Sequence, residues 1–354
     1  MTRDRLTVAA IKDQLLPRMQ ELVATLCPGM KRHGNYWQGP NPTRAKDSKT
    51  SFTVWTMGAW KEYDSGETGD VIDLIAYCRR CTKGEAIAWA KDFLGLRDLD
   101  PATRAKLDAQ AKEKRDRQAK AEAEERAAKQ RRAFDLWLGG RKLAPGSLAW
   151  RYLASRSIDM AELVNAEGDL KDSATSVRYW GPREPGFDWL GPAMLAPIRR
   201  AGGDTGGEIL GVHATFLAVN GSGKAAVPNP KLMLGTKQGG FVRLTRGETC
   251  LPFEDQVKAD ITAPLILGEG IETCLSVALA LPEHRVWAAL DLGNMASLPF
   301  LPQIRPLVIL KENDVKPQAI EQRQRVMDQL TDKGFDVREM VPPAGNDFND
   351  TLRG

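Results

Sequence analysis

Pro264-Leu265-Ile266-Leu267-Gly268-Glu269-Gly270-Ile271-Glu272-Thr273 decides how this chain is read. The apolar run 264–267 has the look of a buried strand, Gly268-Glu269-Gly270 ends it, and 271–280 continues as a helix. A second apolar run, Pro306-Leu307-Val308-Ile309-Leu310, empties into Lys311-Glu312-Asn313-Asp314. A third acidic cluster follows in Gly345-Asn346-Asp347-Phe348-Asn349-Asp350. In an open α/β sheet, chemistry gathers beyond the carboxyl ends of the strands. Carboxylates at two such ends can meet at one hard-cation site. Magnesium or manganese there could hold phosphates and stabilise both the attacking and the leaving oxygens. Any one of these carboxylates alone would be read as a solvated loop residue. Three clusters in this order argue against that reading.

The pattern resembles the Toprim domain shared by DnaG-like primases, topoisomerases and some nucleases. That domain has a Glu after its first strand, Asp-x-Asp after a later strand, and often a further acidic residue. The similarity is greatest to Toprim proteins of phages and plasmids, which carry Glu-Gly-Ile-Glu-Thr, a later Asn-Asp, and a closing Asp-x-Asn-Asp, here Asp347-Phe348-Asn349-Asp350. One departure is Glu312, which stands where the family has the first Asp; it is still a hard oxygen ligand, one methylene longer. The resemblance implies Glu312 and Asp314 as metal ligands, with Asp347 and Asp350 completing or polarising the set. Glu269 would then act near the attacking hydroxyl, as metal ligand or as proton acceptor.

Working outward, the stretch 230–240 (Pro230-Lys231-Leu232-Met233-Leu234-Gly235-Thr236-Lys237-Gln238-Gly239-Gly240) is rich in glycine, which lets a backbone approach a phosphate closely, and its two lysines can neutralise one. It resembles the segment of DnaG-like primases in which a Pro-Lys pair and a later Lys precede the Toprim domain. By that resemblance Lys231 and Lys237, with Arg199 and Arg243, are expected on phosphates of template or nucleoside triphosphate. The rival reading is a surface β-ribbon with lysines in its turns. Runs at 193–198, 208–217 and 240–244 read as strands. Asn220-Gly221-Ser222-Gly223-Lys224-Ala225 fails as a phosphate loop, because the leading Gly is missing and Ala225 replaces the hydroxyl. His213 and His284 have no nucleophile pattern around them and read as structural.

Residues 7–26 carry Ile11, Leu15, Leu16, Met19, Leu22, Val23 and Leu26 at helical spacing, and Pro28-Gly29 ends that helix. An aromatic, turn-rich segment around Trp37, Trp55 and Trp60 reads as short antiparallel strands. Helices are expected from Asp70 and over 83–93. The run 66–73 is similar to the stretch that follows the second cysteine pair of the zinc-binding domain in DnaG-like primases, yet 62–65 holds no thiol. Of Cys27, His33, Cys78 and Cys81 only Cys78-x-x-Cys81 has the tight knuckle spacing of a structural zinc site. It lies in an amphipathic helix, and Cys27 and His33 are too far apart to form its partner pair, so no zinc is expected and apolar packing of the tryptophans takes its place. Lys31, Arg32 and Trp37 interleave charge and aromatic surface and could stack and neutralise single-stranded nucleic acid. A core Trp beside a basic turn is the other reading. Residues 101–133 hold eleven Lys/Arg against six Asp/Glu and almost no large apolar side chain, which reads as a solvated spacer helix.

With 354 residues, 42% apolar and 27% charged, the chain has room for two or three domains with cores. A net charge of +4 permits nucleic-acid binding without arguing for it. No apolar run approaches membrane-spanning length, so a soluble, cytoplasmic protein is expected, with five cysteines as free thiols in a reducing compartment. The expected architecture is α+β and α/β. A zinc-free, zinc-ribbon-like domain for template or partner binding spans 1–100, and a charged linker helix spans 101–133. The basic lobe of a primase-type core spans 134–258, and a Toprim α/β domain spans 259–354. The expected activity is metal-dependent synthesis of short RNA primers from nucleoside triphosphates on single-stranded DNA, alongside a separate replicative helicase. The alternatives are a Toprim nuclease and a catalytically weak single-strand-binding adaptor.

Overall fold

The computed structural model describes residues 6–44, 50–96, 100–167, 170–173, 177–178, 190–202, 207–313 and 317–354. They fall into two compact units, 1–123 and 124–354.

In the first unit the expected helix over 7–26 is broken into α1 (Val8–Leu15), a 3-10 turn Leu16–Arg18 and α2 (Met19–Leu26). Pro17 lacks an N–H and cannot continue an α-helical ladder, so the chain tightens there and resumes. The apolar positions Ile11, Leu15, Met19, Leu22 and Val23 still reach one core. Strands β1 (Lys31–His33), β2 (Tyr36–Gly39), β3 (Phe52–Trp55), β4 (Trp60–Glu62) and β5 (Thr68–Gly69) form an antiparallel sheet in sequence order. Helix α3 (Val71–Arg79) starts in a capping box of Asp70 and Asp73, and α4 (Lys83–Phe93) in one of Thr82 and Glu85. The aromatic packing differs from the expected trio. Phe52, Trp60 and Tyr77 stack with centroids 4.6–5.5 Å apart, whereas Trp55 is only half-buried. The Cys27 and Cys78 thiols lie 3.6 Å apart beside this core.

Helix α5 (Pro101–Gly139) runs past the charged stretch. Its early turns join the first unit through Asp108, which accepts from Thr7 Oγ1 at 2.6 Å, and Lys114, which meets Asp13 at 2.6 Å. Its last turns bring Ala133 and Trp137 into the core of the second unit.

The second unit is built on a ten-stranded sheet. Its small leading pieces are β6 (Arg141–Lys142), α6 (Leu148–Ser155) and β7 (Lys171–Asp172), with β8 (Val177–Arg178) and β9 (Leu190–Gly191) as a separate ribbon. Strands β10 (Ala193–Arg200), β11 (Ile209–Phe216), β12 (Lys231–Gly235) and β13 (Gly240–Arg243) are antiparallel. After α7 (Phe253–Lys258) come β14 (Ala263–Gly268), α8 (Ile271–Ala280), β15 (Arg285–Ala288), α9 (Leu292–Met295), β16 (Ile304–Leu310), α10 (Pro317–Asp332), β17 (Val337–Met340) and α11 (Phe348–Arg353). The strand order is β12-β11-β10-β13-β15-β14-β16-β17, and the last four are mutually parallel.

Alternation along these parallel strands divides the core. Ile266, Val286, Ala288, Val308 and Leu310 pack on α8, with Phe348 of α11 against the same cluster. Leu265, Leu267, Trp287, Leu307 and Ile309 pack with Met295, Leu298, Val326 and Leu330 on the α9 and α10 side. The chain therefore leaves β14 in one direction to reach β15 and returns past it to reach β16. The crevice beyond the carboxyl ends of β14 and β16 is the switch point of a doubly wound sheet.

Candidate active site

The register sets the first two carboxylates side by side. Leu267 pairs with Ile309, so Glu269 and Glu312 leave neighbouring parallel strands within one residue of each other. Glu269 O accepts from Leu290 N–H at 2.9 Å, and Lys311, the residue before Glu312, donates its N–H to Met340 O at 2.9 Å. Both carboxylates, with Glu272, lie close enough to the buried Cys274 thiol to push its pKa up, after burial itself. Cys274 is held as a neutral thiol that donates to Trp287 O at 3.3 Å.

The third cluster is drawn in by Asn313. Its N–H donates to Asn346 O at 2.8 Å and its Nδ2 to Gly345 O at 2.9 Å. Asp347 caps α11, accepting from Asp350 N–H at 2.9 Å on Oδ1 and from Thr273 Oγ1 at 3.2 Å on Oδ2. Asp350 folds back to accept from Asn346 N–H at 3.1 Å. Asp347 and Asp350 thus shape the loop beside the crevice. Asp314 lies outside the described residues. Among the described residues no three Asp, Glu, His or Cys side chains converge as a metal-binding group. The carboxylates of Glu269 and Glu312, which leave the ends of the neighbouring strands β14 and β16, are hard oxygens of the kind magnesium or manganese prefers.

The basic lobe supplies the opposite wall, with one exception. Lys231 is exposed on β12, on the face shared by His213 and Thr215 of β11. Lys224, dismissed in the sequence as part of a failed phosphate loop, reaches Glu272 Oε1 at 2.8 Å, and Lys237 pairs with Asp291. The exception is Arg243, which is 1% exposed. Its guanidinium meets Glu254 at 2.7 Å, donates to Arg200 O at 2.8 Å and lies over the Trp287 ring. Arg243 therefore braces the interior and does not face a phosphate. Arg199 is half-buried and donates to Gly207 O at 2.9 Å. In the first unit Lys31 and Arg32 are exposed on the edge strand β1, but Trp37 is core, with Arg32 over its ring at 5.4 Å. No base can stack on a face that is already covered.

Comparison with known proteins then bears on the second unit. Residues 264–354 match the Toprim domain family, and residues 127–244 match a domain of unknown function (DUF7146). This stretch of 264–354 is a Toprim domain. No curated protein matches the chain in sequence. Among solved structures, the Aquifex aeolicus primase (zinc-binding and RNA polymerase domains) is 15% identical with a TM-score of 0.39, over 97% of this chain and 82% of that one. The DnaG primase catalytic domain bound to single-stranded DNA is 13% identical with a TM-score of 0.43, over 65% and 76%. The primase fragment of the bacteriophage T7 primase-helicase is 11% identical with a TM-score of 0.35, over 88% and 92%. The Toprim assignment rests on the family match and the strand order, not on these likenesses. Among the described residues no helix is long and apolar enough to cross a membrane.

Around the Toprim carboxylates the structure gives a place to two residues that stand in the motifs but carry no expected role, Glu272 and Asn349. Glu272 is 8% exposed, ion-paired to Lys224 and hydrogen-bonded by the Tyr152 hydroxyl. Burial opposes its charge, yet Lys224 and Tyr152 outweigh burial and hold its pKa down at about 2. Asn349 is fully buried and donates to Arg156 O at 2.8 Å and Ser276 Oγ at 3.0 Å. A charge inside a helix that is apolar all round was the available signal, because such a charge must find a partner.

Gly268 is fixed by close approach at the foot of the same site. A Cβ built there would stand 2.6 Å from Cys274 Sγ and 2.9 Å from Leu310 Cδ1. Gly268→Ala should cost about 1–3 kcal/mol in urea unfolding. Adding Cys274→Ala should recover part of that loss, since the sulfur is the nearest obstacle. A Gly268→Ala variant as stable as the wild type would contradict the packing described.

Proposed function

We propose that this chain is a primase-type nucleotidyltransferase that joins nucleoside triphosphates into a short RNA primer on single-stranded DNA. The observation that supports this most is the pairing of two unlike walls. Toprim carboxylates leave the strand ends at the switch point, and lysines of the adjoining lobe reach Glu272 and Asp291 of the same domain. An acidic floor suits a divalent cation, and a basic wall suits polyphosphate and template backbone. In the reaction, the 3′-hydroxyl of one nucleotide attacks the α-phosphorus of the next and pyrophosphate leaves. Magnesium or manganese held by Glu269, Glu312 and Asp314, with Asp347 and Asp350 at the margin, would neutralise the charge that develops on the phosphoryl oxygens. Glu269 would take up the hydroxyl proton or hold that cation. Lys231 and Lys237 would position the triphosphate, with Arg199 further out. A replicative helicase is the protein partner proposed.

The test is incorporation of labelled ribonucleotide on unprimed single-stranded DNA, with magnesium or manganese, by wild type and Asp314→Ala. Short products that fall at least about a hundredfold in the variant are expected. Strand cleavage without nucleotides would reassign the site to a Toprim nuclease. Single-strand binding that is indifferent to magnesium and to the substitution, with no product, would leave an adaptor.

A further inference from the structure

We infer that the last turns of α5 and the strand ends beneath them form a track for single-stranded nucleic acid, outside the cleft and leading to it. Val212, Ala214 and Phe216 of β11 pack on the α5 side of the sheet, so His213 and Thr215, which alternate with them, face the other way, toward the cleft. On the α5 side, two hollows of about 570 and 480 Å³ share Gln130 as a common wall. The helix contributes Arg126, Gln130 and Phe134, one ridge at i, i+4 and i+8, with Arg131 beside them. Arg199 and Arg200 rise from the strand end below.

Four arginines thus line a groove in which the carboxylate of Glu208 is engaged by Arg200 at 3.0 Å and by Gln130 at 2.9 Å. Arginine forks match phosphate oxygens. Phe134 is 43% exposed in the same groove and offers a face on which a base can stack. A basic groove with an exposed aromatic is the combination that single strands use, and an acidic peptide has no need of the ring. The far end of the groove is formed by Thr236 and Gln238, which flank Lys237. Lys237 in turn pairs with Asp291 of the Toprim domain. The track therefore ends on the turn that carries Lys237, a lysine to which the proposed function gives the triphosphate. This inference deepens the template-binding part of the proposed function, but its test reads no catalysis.

The experiment is fluorescence anisotropy of a labelled mixed-sequence oligonucleotide with the full chain, without nucleotide or divalent metal, across a salt series. Arg126→Gln with Arg131→Gln should weaken binding about tenfold and flatten the slope of log K against log salt by about 1.4, at roughly 0.7 for each phosphate left without its arginine. Phe134→Ala should weaken binding by a similar factor and leave the slope unchanged, because stacking carries no counterions. All three side chains are exposed, so folding is not at stake, and circular dichroism would verify it. Wild-type affinity and slope in both variants would overturn the track. So would poly-glutamate binding as tightly as the oligonucleotide at matched charge, which would assign the groove to an acidic protein. Failure of primer synthesis would leave this result standing.

Discussion

Glu272→Ala should destabilise the second unit by about 3–5 kcal/mol, because truncating one member of a buried pair leaves the other charge uncompensated. Lys224 keeps about a third of its side chain in solvent, which puts the expectation at the lower end of that range. Tyr152 would lose its acceptor as well. Hydrogen exchange of β14 and β16 amides in the full chain reads this unit directly. Replacing both partners with methionine should recover most of the loss, since apolar groups of similar volume need no counter-charge. A cost below about 1 kcal/mol for Glu272→Ala would mean that water reaches the pair. The pH dependence follows from the sign of the shift. The folded carboxyl titrates at about 2, below its ordinary 4.5, so the stability it contributes is complete above pH 4.5 and is lost between pH 4.5 and about 2.

His213 should dominate a different window. It is buried in β11 with Nδ1 unpartnered among the described residues. Burial, and then Lys231, Lys224 and Lys237, lower its pKa from 6.5 to about 4, against the opposing pull of Glu272. Below pH 6.5 the unfolded chain takes up a proton that the folded imidazole refuses. Stability therefore falls as pH drops from 6.5 to about 4, by about 3 kcal/mol in all, and is unaffected by this group above 6.5. Urea unfolding at pH 7.0, 5.5 and 4.5 should show that decline in the wild type. It should be absent in His213→Gln, which fills similar space without titrating in this range. A decline of equal size in the variant would remove His213 as its cause. A polyanion that neutralised the three lysines would ease protonation of the folded imidazole, so saturating oligonucleotide should make the decline shallower.

The parts of this molecule legible in the sequence are those governed by local rules. Apolar runs of four and five residues ending in Gly-Glu-Gly and Lys-Glu-Asn gave β14 and β16 and the positions of Glu269 and Glu312, because strand ends in such sheets are where carboxylates are tolerated. The helices expected from Asp70 and over 83–93 are α3 and α4, each begun by a local capping box. What could not be read depends on partners distant in sequence. Arg243 and Lys231 look alike along the chain, and only the fold buries one against Glu254 and leaves the other on an open strand face. Trp37 has the same difficulty, since a tryptophan beside arginine serves a core or a nucleic acid equally well until its face is seen to be covered. Lys224 was hidden by a motif it only half satisfies, and its true partner is forty-eight residues further on, in Glu272 (272 − 224).

Strand β13 joins β10 through Arg199–Phe241 on one side and β15 through Val242–Ala288 on the other. The lysine-bearing wall and the Toprim floor are therefore cut from one hydrogen-bonded sheet, and the aperture between them has a set width. Ligand association should then be single-exponential, with a rate that rises linearly with concentration and no plateau from a slow closing step. The heat-capacity change on binding should be small, matching the surface covered by the ligand alone.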